Sequence, residues 1–167
     1  MPAHFMADPT QINDPEQYAR LSRPEEPHGQ PSPSDKAHHT AKWARTMTKW
    51  LITRTNHRKR AKWQLLDFCG KNGSEAVGIV DLMAIRKDHR NAGFGHKKGD
   101  LFEIVVIQTK GGSAPWPSEE DNERLSRVAS RYGARGVLSQ WRRKETLTLY
   151  ELEGKQWKLV QADEIFG

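Results

Sequence analysis

The chain has 167 residues, a formal net charge of +6 and only 35% hydrophobic residues, enough for one ordinary domain of roughly 100–200 residues. Its one cysteine, Cys69, excludes an internal disulfide and a cysteine-cluster zinc site, and it fits a reducing, cytoplasmic setting. The aliphatic run Ile104–Ile107 is far short of the ~18 residues of a membrane span, and the acidic, proline-bearing start lacks the order of a secretion signal, so none is expected.

Seven of the nine prolines lie between Pro2 and Pro33, and no tryptophan is among them. Such a stretch cannot bury enough apolar surface to offset its ordering entropy, so residues 1–34 are expected to be a disordered, proline-rich, acidic tail. It holds five carboxylates and two arginines, a charge of −3. Against +6 for the whole chain, residues 35–167 therefore carry +9, together with all six tryptophans. These residues form the expected folded domain. A basic domain of this size points to a polyanionic partner, with nucleic acid favoured over a membrane surface.

From Asp35 the pattern is helical, with Trp43, Met47, Trp50 and Leu51 spaced to share one face. The basic run Arg54–Lys62 ends or extends that helix. Trp63–Cys69 reads as a short strand, followed by a Gly-Lys-Asn-Gly turn at 70–73. Ala76–Arg86, β-branched and apolar around Asp81, reads as a strand buried on both faces. A polar loop over 87–99 leads to the strongest strand, Leu101–Lys110, which ends in Gly111-Gly112. Ser118 followed by three acids marks a capped helix with an apolar stripe at Leu125, Val128, Ala129 and Tyr132, closed by Gly133. Gly136–Trp141 and Thr146–Leu152 are two further strands, and Trp157–Val160 with a short segment finishes the chain. The order helix-β-β-β-helix-β-β predicts an α/β fold on a mixed central sheet. Its first three strands form an antiparallel meander, and a parallel crossover spans 101–141.

Asp81 inside an apolar strand is costly unless it is paired or holds a metal. Gln108 and Lys110, two apart, project from one face at the open end of an aliphatic strand. Their chemistry suits phosphodiester cleavage. The Asp81 carboxylate, the Gln108 side-chain carbonyl and the Thr109 main-chain carbonyl are hard oxygen donors for Mg²⁺ or Mn²⁺, which lowers the pKa of a bound water. Lys110 beside them can orient that water or neutralise charge at the phosphate. The alternative is a buried Asp81–Lys110 ion pair.

The runs GIVDLMAIR (78–86), EIVVIQTKGG (103–112) and SRYGARGVLSQW (130–141) resemble the PD-(D/E)XK nucleases, in particular their Holliday-junction-resolvase-like and VRR-type branch. The resemblance covers about residues 60–152. It implies a restriction-endonuclease-like fold and a metal-dependent DNA endonuclease, acting on structured DNA and often dimeric, with Asp81, Gln108 and Lys110 as its core site. Two positions depart from the family pattern. Gln108 stands where that family has an acid, and residues 36–66 contain neither Asp nor Glu where many members carry a helix glutamate. Glu75, six residues before Asp81, is a candidate to supply that carboxylate.

The basic side chains Arg54, Arg58, Lys59, Arg60 and Lys62, with Arg90, Lys97 and Lys98 of the 87–99 loop, are candidate DNA contacts, expected on either side of the scissile phosphate. Trp116, between two prolines, is a packing residue or a base-stacking one. Glu103, on the opposite strand face from Gln108, is expected to be structural or exposed. A non-catalytic nucleic-acid-binding protein with a degenerate nuclease fold is the alternative function, and an adaptor for an acidic protein is a third.

Overall fold

The computed structural model describes residues 32–69, 78–90, 95–142 and 145–167. Residues 1–31 of the expected tail, the turn at 70–73 and Glu75 lie outside the described residues. The elements are α1 (Pro33–Lys59), β1 (Gln64–Asp67), β2 (Leu82–Lys87), β3 (Phe102–Gly111), α2 (Glu119–Arg131), β4 (Arg135–Trp141), β5 (Thr148–Glu153), β6 (Gln156–Val160) and α3 (Ala162–Phe166). The six strands form one mixed sheet in the order β1-β2-β3-β4-β5-β6. Only β3 and β4 run parallel, with α2 as their crossover. The meander and crossover expected from sequence are therefore present. Two elements were not anticipated: β6 pairs as a hairpin with β5, and α3 follows it.

Strand β3 is buried on both faces, which is why it reads as an unbroken aliphatic run. Val105 and Ile107 pack with Ile52 of α1, Leu82 and Val137 on one face. Val106 packs with Leu125 and Ala129 of α2 on the other. Ser118 caps α2 by accepting the Asp121 N–H at 3.1 Å, and Gly133 leaves the helix at φ +58°. The terminal segment closes the α1 side: the Trp63 indole N–H donates to the Phe166 carbonyl at 3.0 Å, and the two rings meet edge to face.

Three sequence expectations are corrected here. The buried stripe of α1 is Ala44, Arg45, Thr48, Ile52 and Thr55, whereas Trp43 and Trp50 are 42% and 52% exposed. The cause is the closeness of helix and sheet. A Cβ added at Gly111 would lie 2.3 Å from the Thr40 carbonyl oxygen, so helix and sheet run too close there for an indole, and Ala44 and Thr48 are the fully buried residues nearby. There Thr48 and Ser139 of β4 share a buried hydrogen bond at 2.7 Å. Strand β2 begins at Leu82, not at Ala76. Ile79 and Val80 are apolar because they pack beneath α2 with Val106, without pairing as strand residues. Asp81 consequently stands at the lead-in to β2, half-buried, not in mid-strand.

Candidate active site

The alternation of β3 places Ile104, Val106, Gln108 and Lys110 on the α2 face, and Val105, Ile107 and Thr109 on the α1 face. Gln108 is 8% exposed, and its Oε1 is buried with no hydrogen-bond partner among the described residues. An unsatisfied buried carbonyl carries its full desolvation cost, about 1–3 kcal/mol. Lys110, half-buried one step further, makes no hydrogen bond or ion pair with any described residue, and its register partner on β4 is the buried Gln140. The open end of β3 thus gathers an orphaned acceptor and an unpaired ammonium on one face.

Asp81 is held differently. Its main-chain N–H donates to the Ile107 carbonyl at 2.9 Å. Its Oδ2 accepts both the Thr109 main-chain N–H at 2.5 Å and the Thr109 hydroxyl at 2.9 Å. The carboxylate therefore lies at the β3 edge beside Thr109, the residue between Gln108 and Lys110. The ion pairs of the described residues do not include an Asp81–Lys110 bridge. Asp81 and Thr109 meet directly; Gln108 and Lys110 flank that contact from the α2 face.

On the α1 side the sequence reading overlooked two residues. Arg45 is 8% exposed, so α1, which has no acid after Asp35, buries a basic residue instead. Asp67, the last residue of β1, forms an ion pair with Lys49 at 2.7 Å and accepts the Cys69 N–H at 3.0 Å. Burial raises the Asp67 pKa, but the Lys49 hydrogen bond, the Cys69 N–H and the charges of Lys49 and Arg45 outweigh it and hold the carboxyl below its ordinary value. The signal for Asp67 was an acid closing the apolar run WQLL. Nothing in the helix pattern distinguished Arg45 from its solvated neighbours.

The donors available to a metal at this point are the Asp81 carboxylate, the orphaned Gln108 carbonyl and the Thr109 carbonyl. All are hard oxygens, and a divalent cation is a chemically fitting partner for the unsatisfied Gln108 Oε1. Among the described residues no cluster of three or more His, Cys, Asp or Glu exists. The set therefore suits a weakly held ion that keeps several waters, as Mg²⁺ does.

The candidate DNA contacts are not where sequence spacing put them. Lys59, Arg60 and Lys62, just after α1, face Arg86, Lys87 and Arg90 across a depression at the opposite end of the sheet. Phe102, in that depression, lies six residues before Gln108, roughly 20 Å along the strand at ~3.3–3.4 Å per residue. The two basic runs converge because β2 ends, and β3 begins, beside the end of α1. Lys97 and Lys98 belong to the loop between β2 and β3 at that end. Arg58 forms an ion pair with Asp163, and Arg54 lies 5.2 Å from the centroid of the Trp50 ring. Glu103 bonds Arg86 and pairs with Arg90 at 2.7 Å. Trp116 meets Tyr150 and Trp157 edge to face and is still 45% exposed.

No protein-family model matches the chain, and no curated protein sequence matches it. Among solved structures it is similar to Hjc, a Holliday junction resolvase from the archaeon Archaeoglobus fulgidus. That similarity is at 13% sequence identity and a TM-score of 0.41, over 72% of this chain and 99% of that one. No helix among the described residues is long and apolar enough to cross a membrane.

Proposed function

We propose that the chain is a divalent-metal-dependent endonuclease that hydrolyses DNA phosphodiester bonds, with structured DNA as its substrate class. One observation carries this reading: a buried carbonyl, Gln108 Oε1, on the same strand face as Lys110, neither with a partner among the described residues, beside a carboxylate anchored on the residue between them. A fold retains an uncompensated polar pair of this kind where a ligand completes it.

Asp81, Gln108 and the Thr109 carbonyl would hold Mg²⁺ or Mn²⁺, which supplies charge neutralisation at a phosphate oxygen and a more acidic water. Thr109 fixes the Asp81 carboxylate through two hydrogen bonds to Oδ2, which orients the group at the end of β3. Lys110 brings its ammonium to the phosphate as negative charge develops there. The water oxygen bonds to phosphorus while the P–O ester bond breaks, and the departing oxygen takes up a proton. Gln108 in place of an acid lowers the site's negative charge and with it metal affinity. Glu75 is a proposed further ligand from outside the described residues.

The test is nicking of supercoiled plasmid and of a four-way junction with Mn²⁺ or with EDTA. Wild type should cut only with the metal, and Lys110→Ala should bind DNA and leave it intact. A second reading, nucleic-acid binding without hydrolysis, is favoured by the lack of any Asp or Glu over residues 36–66, which leaves the helix no carboxylate to add to the donor set. Metal-independent binding with no cutting by wild type would establish it.

A further inference from the structure

We infer that the groove at the far end of the sheet from Lys110 binds single-stranded nucleic acid, gripping its phosphates with Arg60, Lys62 and Lys87 and stacking a base on Phe102. The inference shares the nucleic-acid partner of the reading above, and it stands whether or not the chain cuts.

Two adjoining hollows of ≈ 350 and ≈ 370 Å³ share Arg86, Lys87 and His89. Six basic side chains line them, against two carboxylates, Asp88 and Glu103. Both carboxylates are already neutralised: Arg90 pairs with each, and Arg86 bonds Glu103. Lys59 is paired with Asp163 outside the groove. Arg60, Lys62 and Lys87 make no ion pair with any described residue, so their charge is available to a ligand.

Their placement is built, not incidental. Arg60 and Lys62 both adopt left-handed backbone, at φ 53° and 59°. Non-glycine residues rarely hold this conformation unless the surroundings enforce it. The enforcement comes from Asn56, whose side-chain carbonyl accepts the Trp63 N–H at 2.9 Å while its amide donates to the Trp63 carbonyl at 3.1 Å. Glycine would relieve the strain at either position. What glycine cannot supply is a cation at the groove mouth.

The aromatic component decides the kind of nucleic acid. Phe102 is 56% exposed and lies in the same hollow as Lys62 and Lys87. A phosphate-binding surface for duplex alone has no use for an uncovered ring, because paired bases do not present their faces. A ring set among cations is the arrangement that binds unpaired bases, each ring stacking one base without regard to sequence.

The experiment is fluorescence anisotropy with a labelled 15-mer of deoxythymidine and with a hairpin duplex, in EDTA so that nothing is cut, on the full chain. Phe102→Ala should weaken single-strand binding roughly 5- to 100-fold and leave the duplex unchanged. The double variant Lys62→Gly with Lys87→Ala should weaken single-strand binding and reduce the slope of log affinity against log salt by about 1.4, two phosphates' worth. Its unfolding midpoint should be unchanged or raised, because glycine removes strain at position 62. Equal losses on both DNAs for Phe102→Ala, or unaltered affinity in every groove variant, would overturn the groove. So would a poly-glutamate competitor displacing the 15-mer as well as unlabelled 15-mer does. Lys110-dependent cutting with unaltered groove variants sinks the groove and leaves the nuclease; the reverse pattern sinks only the nuclease.

Discussion

Asp81 and Lys110 look equivalent in the sequence, yet the structure gives them different duties, so their truncation should separate stability from activity. The Asp81 carboxylate accepts two hydrogen bonds from Thr109, at 2.5 and 2.9 Å. Hydrogen bonds to a charged acceptor contribute about 1.5–3 kcal/mol each when buried. Asp81 is half-buried, so the lower end applies, and Asp81→Ala should cost about 2–3 kcal/mol. With a urea m-value of ~1–3 kcal/mol/M, that moves the unfolding midpoint down by about 1–2 M. Asp81→Asn keeps an acceptor for the Thr109 N–H and should cost about 1 kcal/mol. Lys110→Ala removes a side chain with no partner among the described residues, so its midpoint should stay within ~0.5 kcal/mol of wild type. On the proposed reading both positions reduce nicking by ~10²–10³-fold. The assay pair is urea unfolding by tryptophan fluorescence and a nicking time course on the same preparations. A Lys110→Ala midpoint as low as that of Asp81→Ala, or an Asp81→Ala midpoint at the wild-type value, refutes the division of roles.

Gln108→Leu removes an orphaned buried carbonyl and should stabilise the fold by about 1 kcal/mol while abolishing metal-dependent nicking; Gln108→Glu should tighten Mn²⁺ binding measured by calorimetry. Gly111→Ala sets a methyl against the Thr40 backbone and should lower the melting temperature, at a cost of about 1–3 kcal/mol or more. Thr48→Val strands the Ser139 hydroxyl in the core and should cost about 1–3 kcal/mol. Acid should weaken the fold. The Arg135 hydrogen bond holds Glu151 below its ordinary 4.5; at Asp67 burial, the largest influence, is outweighed by the Lys49 and Cys69 hydrogen bonds and the charges of Lys49 and Arg45 together, which hold it below 3.8; and the Arg90 hydrogen bonds hold Asp88 at about 2. Folded-state values below unfolded ones mean stability that is full above about pH 4.5 and lost as pH falls toward 2. Urea midpoints measured from pH 6 to pH 2.5 should therefore decline, and a flat profile would contradict these pairings.

The elements legible in the sequence are those whose pattern and burial have one cause. Strand β3 announces itself because both faces are covered, and α2 because Ser118 and its acids cap it over a stripe that buries Leu125 and Ala129, although Tyr132, expected in that stripe, is 61% exposed. Helix α1 misleads because it runs close to the sheet: the approach at Gly111 admits Ala44 and Thr48 but no indole, and the tryptophans move outward. Strand β2 was read too long because Ile79 is buried without pairing, a difference that hydrophobicity does not encode. The residue types of the candidate site were visible, but not which way each points. The Asp81–Thr109 contact depends on a chain bend before Leu82. The basic groove was hidden for a different reason, since residues 59–62 and 86–90 become neighbours only when β1 pairs with β2, Gln64 opposite Ile85.

The sheet order repeats the chain order from β1 to β6. Every strand therefore finds its partner in the next strand along, and a single crossover, through α2, interrupts the succession. Assembly can proceed as a zipper, each new strand docking on one already in place, with few long loops to close against entropy. Refolding should accordingly be fast for a mixed sheet of this size. Cutting the chain between β5 and β6 should remove one edge together with Val160, Ile165 and Phe166 of the core, and so lower the stability of the other five strands.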